Sequence, residues 1–336
     1  MKHFKQKMKI EKPPYTIASD ILFRIEEIGE AIGRATGIVQ DLRLRRINRI
    51  LTVRGSLAIE GNILSEEQVS TILDGKPVVA PLRDIQEARN AIKAYDQYQQ
   101  WDPASEADLL RAHEVLMSGL LDAPGHYRRT GIGVMGGGAV HHVGPPSRRV
   151  PQLMANLLAW LGSTDEHPLI ASSVFHYEFE FIHPFEDGNG RMGRLWQTLI
   201  LTRWKPLFAH IPVESLVHAR QGDYYQAIRQ SSGAGESTPF IAFMLKIILA
   251  ALQTPTTSDQ VSDQVSDQVA RLLAVLRIGP KTAAELMAAL GLSHRPTFRK
   301  NYLRPALAAG LVEMTRPESP TAKNQQYRLA GRGRKM

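Results

Sequence analysis

The sequence predicts a mainly α-helical protein with one β-hairpin and a small C-terminal module of winged helix-turn-helix order. Three observations predict it. Apolar residues recur at helical spacing through most of the chain up to residue 252. One segment, GHYRRTGIGVMGGGAVHHVGPPS at 125–147, breaks that pattern with glycine and β-branched residues and ends in Pro-Pro, which suits a hairpin or flap. The stretch 270–330 reads as helix, helix, helix and two short strands. At 336 residues the chain is also long for a single core.

The elements follow in order. Ile17–Ile32 and Val39–Leu57 carry apolar residues at helical spacing, interleaved with charge. Ser65 and Gln68 fit a capping box that opens a short helix, and Asp74-Gly75-Lys76-Pro77 closes it. Further helices are expected at 84–99, 105–120, 148–161, 168–182, 190–204, 220–231 and 237–252. A linker with a threefold SDQV repeat occupies 253–269, and its valines lead at four-residue spacing into Leu272 and Leu276. In the last module Thr282–Leu290 forms the second helix. Ser293 caps a third that carries His294, Arg295, Arg299, Lys300 and Arg304. The strands are LVEMT and NQQYRL. The expected domains are 1–95, 96–252 and 270–336, with 253–269 as linker.

Charge is unevenly spread. From Val261 onward there are 13 Lys and Arg against 5 Asp and Glu, so the whole net charge of +8 resides there. A basic module suggests a polyanion such as DNA. No run of about 18 apolar residues is present, which argues against a membrane span. The basic start lacks the apolar core of a secretory signal. Without cysteine there are no disulfides and no thiolate chemistry. The expected location is the cytoplasm.

The chemistry concentrates in HPFEDGNGRMGR, residues 183–194. An apolar helix ends before Pro184, because the residue preceding proline leaves the helical region. A tight loop follows, and then a new helix whose first amides point outward. Gly188 and Gly190 let an anion approach those amides closely. Arg191 and Arg194 share a helix face. Amides and two guanidinium groups make a polyphosphate cradle. Asp187 suits a Mg²⁺ that keeps most of its waters and bridges phosphates. His183 stands at the mouth as a candidate general base. Phosphoryl or nucleotidyl transfer is the reading these residues support.

This stretch resembles the HPFx(D/E)GNGRxxR motif of the Fic family at every fixed position. The preceding HYEFEFIHPF and the glycine-rich flap are also similar to that family, over roughly residues 50–250. The resemblance implies an all-α Fic core and transfer of AMP from ATP to a Ser, Thr or Tyr hydroxyl of a target protein. His183 would be the base and Asp187 the Mg²⁺ ligand. Gly188, Asn189, Gly190, Arg191 and Arg194 would hold the phosphates, with the Asn189 side chain on the α-phosphate and Arg194 on the γ-phosphate. The flap, Ile132, Gly133, Val134 and Met135, would dock the target by strand addition. Tyr224-Tyr225 resembles a tyrosine pair near the adenine pocket, although Ala219-Arg220 departs from the Asn-Arg that usually precedes it. His176 reads as a core histidine. A homodimer is implied by resemblance only.

SLAIEGN, residues 56–62, resembles the family's inhibitory (S/T)xxxE(G/N) helix, here about 45–61. Ser56 and Glu60 are four apart and face one side, and Gly61-Asn62 is a stop signal. Glu60 sits at the helix end whose dipole disfavours a carboxylate, by roughly 0.3–1 kcal/mol, and a cation would offset that cost. The resemblance makes the cation Arg194. In the C-terminal module Arg295 and Arg299 are the candidate DNA contacts. Two alternatives stay open: a DNA-binding regulator with a nucleotide-sensing or vestigial site, and a bifunctional enzyme that also removes AMP.

Overall fold

A computed structural model describes residues 11–35, 42–131, 133–136, 139–254, 267–292, 294–308, 311–318 and 325–330. The chain divides into two compact units, Met1–Thr254 and Pro255–Met336.

The first unit is helical apart from its hairpin. In order it contains α1 (Ser19–Arg34), α2 (Leu42–Ile59), α3 (Glu66–Leu73), α4 (Leu82–Gln97) and α5 (Glu106–Met117). Strands β1 (Gly133–Gly136) and β2 (Ala139–Val143) follow, then α6 (Val150–Ser163), α7 (Pro168–Ile182) and α8 (Asn189–Trp204). It closes with α9 (Val213–Ala219), α10 (Gln221–Ala234) and α11 (Thr238–Gln253). Helix α3 opens on the expected capping box, with both Ser65 and Gln68 reciprocating. Helix α9 was not expected from the sequence.

Local chemistry places the two helices that matter most. Helix α7 is apolar on nearly every side and lies buried against α6, α8 and α11. It stops at His183, whose φ of 50° and ψ of 63° are left-handed. The right-handed helical region is closed to that residue by Pro184. Gly188, also left-handed at φ 84°, then turns the chain into α8. A side chain there would be strained and would meet Met117 Sδ at 2.6 Å.

Helix α2 lies against α3, α4 and α9. Gly55 permits the last of these contacts. A Cβ on it would stand 2.6 Å from the Ser215 main-chain nitrogen. Gly61, at φ 88°, follows the end of α2 as the stop signal expected. The antiparallel flap has an irregular register between Val134 and Met135. Ile132 lies outside the described residues.

The second unit has its own core, built on Val269, Leu272, Leu286, Phe298 and Tyr302. Its elements are α12 (Asp267–Leu276), β3 (Lys281–Thr282), α13 (Ala283–Ala289), α14 (Arg295–Phe298) and α15 (Arg304–Ala308), then β4 (Val312–Met314) and β5 (Gln326–Leu329). A π turn, Arg299–Leu303, joins α14 to α15 ahead of Pro305, which has no N–H to give an α-helical bond. The antiparallel sheet has the order β3-β5-β4, and β3 was not expected. The residue preceding α14 is His294 rather than the expected cap Ser293, which lies outside the described residues. Most of the SDQV repeat also lies outside them, but Val269, Leu272 and Leu276 form the buried stripe expected.

Candidate active site

The turn between α7 and α8 and the first two turns of α8 carry His183 through Arg194, and three braces hold the turn. Asn189, only 2% exposed, spends both ends of its amide on Phe185: its Oδ1 accepts from Phe185 N and its Nδ2 donates to Phe185 O, each at 2.9 Å. The Asn189 amide, expected on the α-phosphate, here bridges the loop at Phe185. Arg128 is the second brace. It donates to the carbonyls of His183 (2.7 Å) and Ile182 (3.2 Å) and to those of Thr130 and Pro145 at the two ends of the flap. His113 is the third. Its ring stacks on Phe185 with centroids 3.7 Å apart, its Nδ1 accepts from Gly125 N, and its Nε2 donates to Asp187 O at 3.0 Å. Burial pushes His113 down to about 4, so it is neutral near pH 7.

His183 has a defined tautomer. Its Nδ1 faces the Glu180 carbonyl at 3.4 Å, and a carbonyl only accepts. Nδ1 therefore carries the proton and Nε2 the lone pair. With the side chain 14% exposed, His183 is a reachable base.

Arg191 and Arg194 are both nearly enclosed, their side chains 4% and 2% exposed. Arg191 pairs with Asp187 at 3.2 Å and with Glu87 at 3.3 Å. Arg194 Nε donates to Ser56 Oγ at 3.2 Å, and its Nη2 donates to Ser56 O at 3.0 Å and to Glu60 Oε1 at 2.7 Å. Burial alone would pull the Arg194 pKa down, but Glu60, Tyr224 and Glu180 around it leave it raised. The Glu60 carboxylate also lies over the start of α8, where a Cβ on Gly190 would stand 2.2 Å from its Oε1. Thus the chain's own carboxylate lies over the N-terminal end of α8, where the helix dipole favours negative charge.

The residues fit a Mg²⁺ brought in with a nucleotide. Asp187 offers a carboxylate whose side chain is 40% exposed, held by Arg191, by Gly188 N and by Arg83 Nη2 at 3.0 Å. Arg83 is 61% exposed and can withdraw. A Mg²⁺ on substrate phosphates needs only one or two protein carboxylates. Among the described residues no group of three or more His, Asp or Glu forms a metal cage.

The tyrosine pair separates. Tyr224 is 2% exposed, and its hydroxyl lies 3.2 Å from His176 Nε2, so it belongs to the core. Tyr225 is part-buried and lies within the field of Glu60. His176 is a core histidine, as expected, bonded to Gln197 at 2.6 Å and pushed down to about 3 by burial. Sequence reading missed Arg83, Glu87, His113 and Arg128. Only Arg128 carried a signal, as an arginine beside the flap.

Comparison with known proteins agrees with this geometry. Residues 103–201 match the Fic/DOC family, and residues 267–330 match the C-terminal domain of the Fic-like "filamentation induced by cAMP" proteins. A curated relative, protein adenylyltransferase Fic of Nematostella vectensis, is 30% identical over 205 residues, 57% of this chain and 45% of that protein. Protein adenylyltransferase fic-1 of Caenorhabditis elegans is 28% identical over 240 residues, 65% of this chain and 44% of that one. The chain thus spans less than half the length of these curated relatives. Among solved structures, Fic-1 of C. elegans (residues 134–508) is similar in fold, with a TM-score of 0.58 at 21% identity, over 72% of this chain and 73% of that one. A crystal structure of a Fic family protein from Desulfovibrio desulfuricans G20 is 51% identical, with a TM-score of 0.73, over 96% of this chain and 99% of that chain. By its motif, its mainly helical fold and these matches, the chain belongs to the Fic family.

Proposed function

We propose that this chain is an autoinhibited protein adenylyltransferase that moves AMP from ATP to a Ser, Thr or Tyr hydroxyl of a target protein. The names of its curated relatives support the reaction class. The observation that carries autoinhibition is the Arg194–Glu60 pair at 2.7 Å, lying over the anion-binding end of α8.

In this reading His183 Nε2 takes the hydroxyl proton, the oxygen bonds to the α-phosphorus, and pyrophosphate leaves. Backbone amides from Gly188 to Gly190 and the Arg191 guanidinium hold the phosphate oxygens. Arg194 holds the γ-phosphate once Glu60 has withdrawn. Asp187 would hold Mg²⁺, which supplies positive charge against the phosphates. Tyr225, part-buried near Glu60, is the member of the tyrosine pair proposed to meet the nucleotide. Strand β1 pairs only with β2 among the described residues, so its other edge suits strand addition by the target.

We further propose the C-terminal unit as a winged helix. Arg295 and Arg299 are exposed there, and both suit contact with DNA phosphates. Among the described residues no helix is long and apolar enough to cross a membrane.

The test is self-labelling with α-³²P-ATP and, in parallel, γ-³²P-ATP. The proposal expects the α-label on Glu60→Gly, none on Glu60→Gly/His183→Ala, and no γ-label on either. Gain of the γ-label would make the chain a kinase instead.

A further inference from the structure

One buried acid has no part in the mechanism above. Glu180 lies one turn before His183 on α7 and is 8% exposed. Its Oε1 is buried and lacks a hydrogen-bond partner. Its Oε2 stands 3.9 Å from His183 Nδ1, and its Oε1 stands 3.9 Å from His176 Nε2. His176 cannot serve it. That ring gives its Nδ1 proton to Gln197 Oε1 and accepts from the Tyr224 hydroxyl at Nε2. Apart from the Arg194 guanidinium, whose charge acts on the carboxyl, its neighbour toward the turn is the protonated edge of His183. Gly193 makes room for this arrangement, because a Cβ there would stand 3.0 Å from Glu180 Oε1.

We propose that Glu180 is a positioning residue for the His183 base: its carbonyl fixes the Nδ1–H tautomer and its carboxyl faces the same edge to stabilise the imidazolium. The proposal deepens the adenylyltransferase reading and rests on it. The proton balance is simple. The target hydroxyl's proton goes to Nε2, the Nδ1 proton stays in place, and the new positive charge lies on the ring beside Glu180. An ionised Glu180 holds that charge better than a neutral one, so it makes His183 the stronger base.

The groups facing Glu180 set when it ionises. Burial is the largest influence and pushes it up to about 8, Arg194 on α8 pulls it down, and Glu60 on α2 pushes it up. On α10, Tyr224 and Tyr225 lie within its field, both held neutral by burial. On its own helix His176 is neutral, which leaves His183 as the group able to respond. The carboxyl is thus mostly protonated at neutral pH and ionises on the alkaline side. Its help to the base grows there.

Two readouts test this in a Glu60→Gly background, with and without Glu180→Gln, which keeps the side chain's shape. The first is a ¹⁵N NMR titration of His183, which needs no turnover. The inference expects an alkaline-side inflection in the His183 nitrogen shifts of the parent, as Glu180 ionises beside the ring, and none in Glu180→Gln. The second is the rate of α-label transfer between pH 6.5 and 9. The ratio of parent to Glu180→Gln should grow at least about threefold across that range. Unchanged His183 titration together with parallel pH–rate profiles would overturn the inference. The expected His183 inflection in a protein that transfers no AMP would instead sink the adenylyltransferase reading while leaving the Glu180–His183 coupling standing.

Discussion

The two partners of the Arg194–Glu60 ion pair sit in very different surroundings. Arg194 is 2% exposed at its side chain and grows from the second turn of α8, which is itself almost wholly buried. Glu60 is 34% exposed and follows the last residue of α2, just before Gly61 leaves the helical region. A buried cation on a packed helix has nowhere to go, and stranding it without a partner is costly. A half-exposed carboxylate at a helix end can move into water cheaply. In the proposed switch the moving part is therefore Glu60, and Arg194 is the fixed part.

Substitutions on each side should separate the fixed part from the moving part. The largest effect belongs to the fixed side. With the brake released, His183→Ala should lower the rate of α-label transfer by about 10²–10⁴-fold, the usual cost of losing a general base. Next comes the moving side. Glu60→Gly removes a charged hydrogen bond of about 1.5–3 kcal/mol, so label transfer should rise by about ten- to a hundredfold over wild type. Ser56→Ala removes only one of the two Ser56 contacts to Arg194, the hydroxyl at 3.2 Å. It should raise transfer by about two- to fivefold, as a bond of about 0.5–1 kcal/mol would.

Gly55→Ala probes whether α2 must stay seated. Its new methyl would press on the main chain of Glu214 and Ser215 at 2.6–2.8 Å. Overpacking of this kind costs about 1–3 kcal/mol. A lowered melting temperature together with partial gain of transfer would show α2 lifting off α9. A lowered melting temperature with no gain would show that the end of α2 holds its place independently.

The smallest effect is in pH and concerns the supports of the fixed side. Burial holds His113 at about 4 and His176 at about 3, both below the ordinary 6.5. Between pH 6.5 and 4 the unfolded chain binds protons that the folded chain refuses, so stability falls as pH drops through that window. Glu180 acts in the opposite direction, with a folded value of about 8 against 4.5. It costs stability as pH rises from 4.5 to 8. Melting curves against pH should therefore decline on the acid side, and Glu180→Gln should steepen that decline between pH 4.5 and 6.5 and remove the loss of stability between 6.5 and 8.

The fixed side was far more legible in the sequence than its supports. HPFEDGNGRMGR announces base, loop, helix start and cations within one local segment, and the fold keeps them together because Pro184 and Gly188 dictate the turns. SLAIEGN was legible for a similar reason, since four-residue spacing puts Ser56 and Glu60 on one face wherever the helix lies. The braces were not legible. Arg83 meets Asp187 across 104 positions, Arg128 meets His183 across 55 and His113 meets Asp187 across 74. No periodicity records such pairings. The inward pairing of the Asn189 amide with Phe185 was not legible either, because the motif does not record which way that side chain turns. Tyr224 and Tyr225 are successive residues on a helix, about 100° apart around its axis, so their burial differs although their rings meet edge to face. The short α9 escaped because seven residues carry too little pattern.

The central claim is that the charge of Glu60 is the brake, acting on Arg194 where the γ-phosphate would bind. Its most direct test is α-³²P-ATP transfer at saturating Mg²⁺-ATP by wild type, Glu60→Gln and Glu60→Gly. Gln keeps the size of the side chain and removes its charge. The account predicts that Glu60→Gln transfers label at least about tenfold faster than wild type and approaches Glu60→Gly, as loss of a charged bond of about 1.5 kcal/mol or more requires. If Glu60→Gln is as silent as wild type while Glu60→Gly is active, the brake is bulk rather than charge and the account is contradicted.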